Sequence, residues 1–166
     1  MKRADNRFQP LGRWLIARET LGADEAALAA GIDRALSRLD ELFCVYVGQV
    51  GFRALLERAA HLRRGDWPWL GRTGISASAT LLIRGPVNSE PEAARAQVSA
   101  RVHLDALPEA IAREGRDTVL EAASALVGTV LELLSNFIGE DLTMRLVRRV
   151  WPDVPSPSSD SGAHEA

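Results

Sequence analysis

Two stretches of the chain carry apolar residues at the spacing of a helix that is buried along one side. In residues 116–151 and in residues 24–48, apolar positions recur at alternating steps of four and three. These positions are Leu28, Ile32, Ala35, Leu39, Leu42 and Tyr46 in the earlier stretch, and Val119, Ala123, Leu126, Val130, Leu133 and Phe137 in the later one. Because side chains at this spacing share one helix face, each stretch predicts a long helix that needs an apolar partner.

The two stretches also share a layout. Each position of the earlier set lies 91 residues before its counterpart, and the same offset pairs Gly48 with Gly139. A shorter helical pattern follows each glycine and ends at a Trp-Pro pair. The layout predicts two antiparallel helical hairpins, about 24–64 and 116–151, that form a four-helix core. Since any two heptad-patterned helices can be aligned in this way, the sequence leaves open whether the hairpins are a true duplication.

Shorter elements are predicted around this core. Prolines near their starts favour accessory helices over residues 10–19 and 107–114. Residues 73–104 combine the alternating apolar positions of strands with a helix start at Pro91. We predict a helix over 91–103 and keep a small β-ribbon within 73–104 as the alternative.

Length and composition fit one all-α domain. With 166 residues, of which 46% are apolar and 5% aromatic, the chain can bury a single core built mainly from Leu, Val and Ala. We expect residues 1–9 to be a flexible N-terminus and residues 10–151 to form the single helical domain. Residues 152–166, rich in Pro and Ser, are expected to be a disordered tail.

Charge and cysteine content exclude several classes of partner. The 20 basic residues nearly balance the 22 acidic ones, so no overall field attracts nucleic acid or an anionic membrane. Cys44 is the single cysteine, and the three histidines show no zinc-site spacing. The N-terminus lacks the apolar core of a signal peptide, and the apolar stretch 119–138 contains Glu121 and Glu132. We expect a cytoplasmic protein without a membrane span, a metal or a cofactor.

One short segment carries a candidate chemical motif. The run A-H-L-R-R-G-D-W-P-W-L-G resembles the phospho-acceptor helix of histidine phosphotransfer domains, which are four-helix bundles. The matching residues are His61, Arg64, Gly65, Leu70 and Gly71. The resemblance implies that His61 accepts a phosphoryl group in two-component signalling and that Arg64 steadies the phosphate. Two departures are Arg63, where the family has an apolar residue, and Pro68, which interrupts the helix.

A second segment, from Leu21 to Leu42, resembles the helix-turn-helix of bacterial repressors. Its A-x-x-x-G-I-D and S-R-L elements carry the resemblance, which implies DNA binding and a turn at Gly31. However, Leu36 lies one residue before the apolar position of that motif, and nearby carboxylates oppose a basic stripe. A DNA-binding regulator is therefore the second alternative, and nucleic acid is not the partner that we expect.

Arginines and tryptophans in the second arms of the hairpins are candidate contact residues. The candidate interaction surface comprises Arg53, Arg58, Arg63, Arg145, Arg148, Arg149, Trp67 and Trp69. The arginines suit either an acidic partner or a solvated helix face. The tryptophans suit either the anchoring of a partner or the capping of the core, because both roles use a large apolar ring.

Catalytic motifs are absent from the sequence. It contains no Gly-rich phosphate loop, nucleophile elbow or metal-binding His pair. We predict a non-catalytic helical interaction or regulatory module of bacterial type that binds another protein and forms a homodimer. Phosphotransfer through His61 is the first alternative.

Overall fold

A computed structural model describes residues 6–22, 24–80 and 99–155 of the chain. In chain order the elements are α1 (Gln9–Glu19), α2 (Glu25–Arg63), a 3₁₀ helix (Pro68–Gly71), β1 (Ile75–Thr80), β2 (Ser99–Leu104), α3 (Leu107–Glu114), α4 (Arg116–Ile138) and α5 (Glu140–Val150). The fold is all-α, and its helices pack as a bundle, which confirms the predicted fold class.

Helix α4 is the centre of the bundle. It contacts α1, α2, α3 and α5, and every residue from Ala122 to Leu131 is buried. A helix that is buried on all sides must be apolar all round, which explains why its sequence is more apolar than that of the other helices. Among the described residues, α4 is the one helix long and apolar enough to cross a membrane, and 72% of its apolar window is buried inside the protein.

Helices α1 and α4 approach each other through glycines. A Cβ atom at Gly12 would collide with the backbone oxygen of Ser124 and would lie 2.6 Å from the backbone nitrogen of Gly128. A Cβ atom at Gly128 would lie 3.0 Å from the Cα atom of Gln9. Because neither glycine has a side chain, the two backbones can touch. Helix α1, which the sequence suggests is accessory, therefore belongs to the central layer.

Residues on either side of the predicted domain boundaries are also packed. Asn6 and Phe8 lie in the segment for which the sequence predicts flexibility, yet both are buried, and the Phe8 N–H donates to Asn6 Oδ1 at 2.9 Å. Val154, in the predicted tail, is buried as well. Packing thus begins before residue 10 and continues beyond residue 151. Residues 1–5 and 156–166 lie outside the described residues.

Gly48 and Gly139 break their helices in the same way. Their φ and ψ angles are 74° and 161° at Gly48, and 89° and 151° at Gly139, a conformation that side chains strongly disfavour. Helix continues on both sides of each glycine. The aligned glycines of the two predicted hairpins therefore form equivalent corners.

Contacts at both ends of α5 show the direction in which it runs. Glu140 forms an ion pair with Arg7 at 2.7 Å, next to the start of α1. At the other end, the Trp151 indole N–H donates to Glu19, the last residue of α1, at 3.1 Å. Helix α5 therefore runs alongside α1 in the same direction. Since Gln9 lies beside Gly128 while Ala17 and Asp117 line one depression, α1 runs antiparallel to α4, and so does α5.

The last position of each predicted apolar seam is exposed. Tyr46 is 47% exposed and Phe137 is 73% exposed, so the prediction that they belong to the core is wrong. In their place, Phe43 and Leu134 are fully buried. Seven residues make slightly less than two full turns of a straight α-helix. A position that recurs every seven residues therefore shifts around the helix by about 20° with each repeat. By the end of each seam, the predicted positions have therefore turned away from the buried side.

Residues 99–104 form a strand and not the end of a helix. Strand β2 pairs antiparallel with β1, with Ile75 opposite Leu104 and Ala77 opposite Val102. The helix predicted over 91–103 is therefore wrong from residue 99 onward, and its earlier part lies outside the described residues. Strand β2 packs on α2, where Asp33 Oδ1 accepts the Leu104 N–H at 3.3 Å. The apolar alternation in this segment was the better guide, because Val102 and Leu104 are both buried.

The close approach of α1 and α4 predicts the effect of adding one methyl group. Gly12→Ala should destabilise the fold by about 1–3 kcal/mol, because its Cβ meets backbone atoms that cannot move aside alone. For a chain of this size, each kcal/mol lowers the melting temperature by about 2–4 °C. Gly65→Ala is the matched control, since a Cβ there meets nothing within 4 Å. Thermal unfolding followed by circular dichroism measures both variants, and an unchanged melting temperature for Gly12→Ala would contradict the packing.

Candidate functional site

One buried carboxylate ties three helices together at the end of α1. The Glu19 side chain, only 7% exposed, accepts hydrogen bonds from Arg38 and from Arg34 Nε at 3.3 Å, and forms ion pairs with both side chains. It also accepts the Trp151 indole N–H. The Glu19 carboxylate is thus shared by two arginines of α2 and by Trp151, the residue that follows α5. These contacts fix the end of α5 beside the first half of α2.

A groove lies between α2 and α5, two of the three helices that this carboxylate joins. We call it the α2–α5 groove. It has a volume of about 520 Å³ and is lined by Arg38, Glu41, Leu42, Val45, Tyr46, Leu146, Arg149 and Val150. The lining combines four aliphatic side chains and a tyrosine with three charged side chains, which we call the rim. This composition suits an apolar ligand surface with polar edges.

Exposed apolar side chains are concentrated around Gly48, and two of them, Val45 and Tyr46, line this groove. Six large apolar side chains are exposed among the described residues, and three of them, Val45, Tyr46 and Val50, lie within six residues around Gly48. Val45 is 80% exposed and Val50 is 84% exposed. Single exposed apolar residues are ordinary, whereas a cluster that borders an apolar groove is typical of a binding surface.

The rim of the groove carries an excess of positive charge. Arg34 and Arg38 share the single carboxylate of Glu19, so one of their two charges is not offset by it. On the other wall, Arg149 lines the groove and Arg145 lies one turn before it, and both side chains are exposed. Glu41 is the acidic residue of the lining. The rim is therefore locally basic, although the whole chain has a net charge of -2.

Two ionisable residues of α2, Asp40 and Cys44, are next in sequence to residues that line the groove. Burial raises the pKa of the Asp40 carboxyl, and the negative charge of Glu41 raises it further. Burial also raises the pKa of the Cys44 thiol, and Asp40 and Glu41 add to this shift. A thiol with a raised pKa stays protonated at neutral pH, so Cys44 is poorly suited to act as a nucleophile.

The candidate phospho-acceptor lies at the end of a helix. His61 and Arg64 are both exposed, as the resemblance to phosphotransfer domains requires. However, α2 ends at Arg63, and the chain then turns through Trp67 into the 3₁₀ helix. The continuous helix that this resemblance implies after the histidine is therefore absent from the described residues 64–71, as expected from Pro68. The Arg64 side chain packs against Gly71.

The predicted arginine surface is divided by the fold. Arg63 Nε donates to Thr129 Oγ1 of α4 at 2.7 Å and is partly buried, so this residue has a structural role. Arg53 pairs with Glu57 on the surface of α2, and Arg58 is exposed. In α5, Arg145 and Arg149 lie at the groove, while Arg148 lies on another side of the helix. Of the six predicted arginines, only Arg149 lines the groove directly.

The predicted tryptophan anchors lie in the core. Trp67 is 9% exposed and Trp69 is 3% exposed, so neither offers its ring to a partner as the interaction hypothesis requires. They close the bundle after α2, which is the capping role that the sequence also allows. The Trp69 Nε1 atom is buried without a hydrogen-bond partner among the described residues.

The helix-turn-helix interpretation lacks its turn. Helix α2 passes through Gly31 without a break, and a Cβ there would lie 2.8 Å from the Glu19 backbone oxygen. Gly31 therefore serves the close packing of α1 on α2 and does not open a turn. Because this segment is one continuous helix, it does not present the recognition helix that the resemblance implies.

Sequence reasoning did not find the α2–α5 groove, although it named Arg149. The signal in the sequence was the run Val45, Tyr46, Val47 and Val50 around Gly48, which contains more apolar residues than one buried helix face can hold. Which helix lies opposite could not be read locally, because the second wall comes from a helix about one hundred residues later.

Comparison of the chain with protein-family models, curated proteins and solved structures finds no match. The function must therefore be argued from the site itself.

The raised pKa of Asp40 predicts a pH-dependent gain in stability on its removal. The unfolded chain releases the Asp40 proton near its ordinary pKa of 3.8, whereas the folded protein releases it at higher pH. Ionised Asp40 therefore opposes folding at neutral pH, and this penalty disappears as the pH falls through the folded pKa and below 3.8. Asp40→Asn should raise the melting temperature at pH 7, with a gain that shrinks toward pH 4.

Thermal unfolding across this pH range measures the effect. The matched control is Asp66→Asn, because Asp66 is an exposed carboxylate at the end of α2. A lower melting temperature of Asp40→Asn at pH 7 would show that the ionised carboxylate stabilises the fold, which contradicts the account.

Proposed function

We propose that this chain is a non-catalytic helical module that binds another protein through the α2–α5 groove. The observation that supports this proposal most is that Val45 and Tyr46, two exposed apolar side chains, line a largely apolar groove. Exposed apolar surface of this kind lowers solubility, and it gains free energy when a partner covers it.

The chemistry around the groove supports binding more than catalysis. The nearest nucleophile, Cys44, has a raised pKa, and so does its neighbour Asp40. The other polar side chains at the groove are arginines, Glu41 and Tyr46. Glu19 lies nearby, and its contacts hold three helices together. Such an arrangement can recognise a surface and keep its own shape, which suits a regulatory or adaptor role in the cytoplasm.

A second copy of the chain is one candidate for the partner, in line with the homodimer predicted from the sequence. In a symmetric dimer the same groove would be covered on both subunits. Sedimentation equilibrium of the purified chain separates this case from a different partner, because only a homodimer changes the mass of the chain alone.

Affinity capture with matched variants tests the proposal. The tagged full chain, Val45→Ser and Leu21→Ser are each incubated with a lysate of the source cells. Leu21 is 89% exposed but does not line the groove, so it controls for the loss of any exposed apolar residue. The wild type and Leu21→Ser should retain the partner, and Val45→Ser should lose it, because only Val45 lines the groove. Both side chains are exposed, so neither change disturbs the core.

Two results would contradict the proposed function. One is equal recovery of the same partner by Val45→Ser and the wild type. The other is a chain that remains monomeric and retains no protein above the level of an unrelated tagged control. Circular dichroism of each variant confirms that the fold is unchanged.

A further inference from the structure

We infer that the occupant of the α2–α5 groove is an acidic amphipathic helix of the partner protein. This inference rests on the proposed function and names the chemistry of the segment that binds. Three features of the groove support this inference: its helical walls, its apolar lining and the positive charge of its rim.

The walls favour a helix over an extended segment. Lining residues of α2 run from Arg38 to Tyr46, about two helical turns, and those of α5 run from Leu146 to Val150. Backbone N–H and C=O groups within both walls are already paired inside their own helices. An extended segment would bury its own backbone polar groups without partners there, which is costly. A helix satisfies these groups internally and can pack its side chains between two helices.

The lining favours aliphatic anchors on one face of that helix. Leu42, Val45, Leu146 and Val150 line the groove with aliphatic side chains, and Tyr46 adds an aromatic ring. An incoming helix can bury leucine-sized side chains against this surface when they recur at the i, i+3, i+4, i+7 spacing. Its opposite face stays in water and must be polar.

The rim favours acidic residues beside those anchors. Arg149 lines one edge, with Arg145 one helical turn before it, and Arg38 shares Glu19 with Arg34 on the other. No ion pair joins Arg145 or Arg149 to another side chain within the described ranges. Carboxylates placed one turn apart on a bound helix can reach these guanidinium groups and form charge-assisted hydrogen bonds.

The same charges oppose a second copy of the chain as the occupant. A two-fold dimer brings each surface patch against itself, so it would place one arginine-rich rim close to another. Like charges across an interface disfavour association. A partner with an acidic helix avoids this repulsion and covers the same apolar surface.

Fluorescence anisotropy with designed peptides tests the inference on the full chain. The acidic probe is a peptide of about 18 residues, or five helical turns, with leucines on one face and glutamates on the other. The basic probe keeps the leucines and replaces every glutamate with lysine. The acidic probe should bind at least about tenfold more tightly than the basic one, and its affinity should fall as salt is added.

Matched variants assign the binding to the groove. Arg149→Glu should weaken binding of the acidic probe by about tenfold or more, because it replaces attraction with repulsion. Arg58→Glu is the control, since Arg58 is exposed on α2 outside the groove. Val45→Ser should also weaken binding, while Leu21→Ser should not.

Three outcomes overturn the inference while leaving the proposed function in place. They are equal or tighter binding of the basic probe, no saturable binding of either probe, and a salt-insensitive dimer of the purified chain that Val45→Ser abolishes. The proposed function itself fails by the capture experiment, either when the wild type and Val45→Ser retain the same proteins or when a monomeric chain retains no protein above the control.

Discussion

The close packing of α1 on α4 is the constraint on which the rest of the structure depends. Gly12 and Gly128 let the two backbones touch, and α4 is buried on every side between Ala122 and Leu131. With α4 enclosed, α2, α3 and α5 each find an apolar surface to cover. The Glu19 carboxylate then joins the end of α1 to α2 and to Trp151, which positions the last helix.

The α2–α5 groove follows from where this packing ends. Each long apolar seam turns away from the buried side before its glycine break, and this leaves Tyr46 and Phe137 exposed. At the first break, Val45 and Val50 are exposed as well, and α5 forms the wall of the groove opposite Val45. A largely apolar groove bordered by arginines results from the fold itself.

Local signals in the sequence were sufficient for most helices and for both breaks. Proline in the first turn marks α1 and α3, and Asp24 caps α2 by accepting the Ala27 N–H at 2.8 Å. Gly48 and Gly139 were recognisable because each ends a periodic apolar stretch. The strand at 99–104 was only the alternative prediction, because Pro91 and the alanines after it favour a helix start while the alternation favours a strand.

The candidate site was much less predictable, because it depends on contacts between distant residues. In sequence, Gly12 and Gly128 are only weak helix formers, and nothing local indicates that they meet. Trp67 and Trp69 are equally suitable as anchors or core caps until their burial is known. The two walls of the groove come from opposite halves of the chain, so the sequence could name Arg149 but not what faces it.

Native-state amide hydrogen exchange of the free chain, resolved by residue with NMR, tests the central claim most directly. The account predicts that amides of α4 between Val119 and Leu134 exchange slowest, through global unfolding, because this helix is enclosed. Amides around Gly48, beside the groove, should exchange much faster through local opening. Amides of α4 that exchange as fast as those of α5 or of the Gly48 corner would contradict a fold built around this helix.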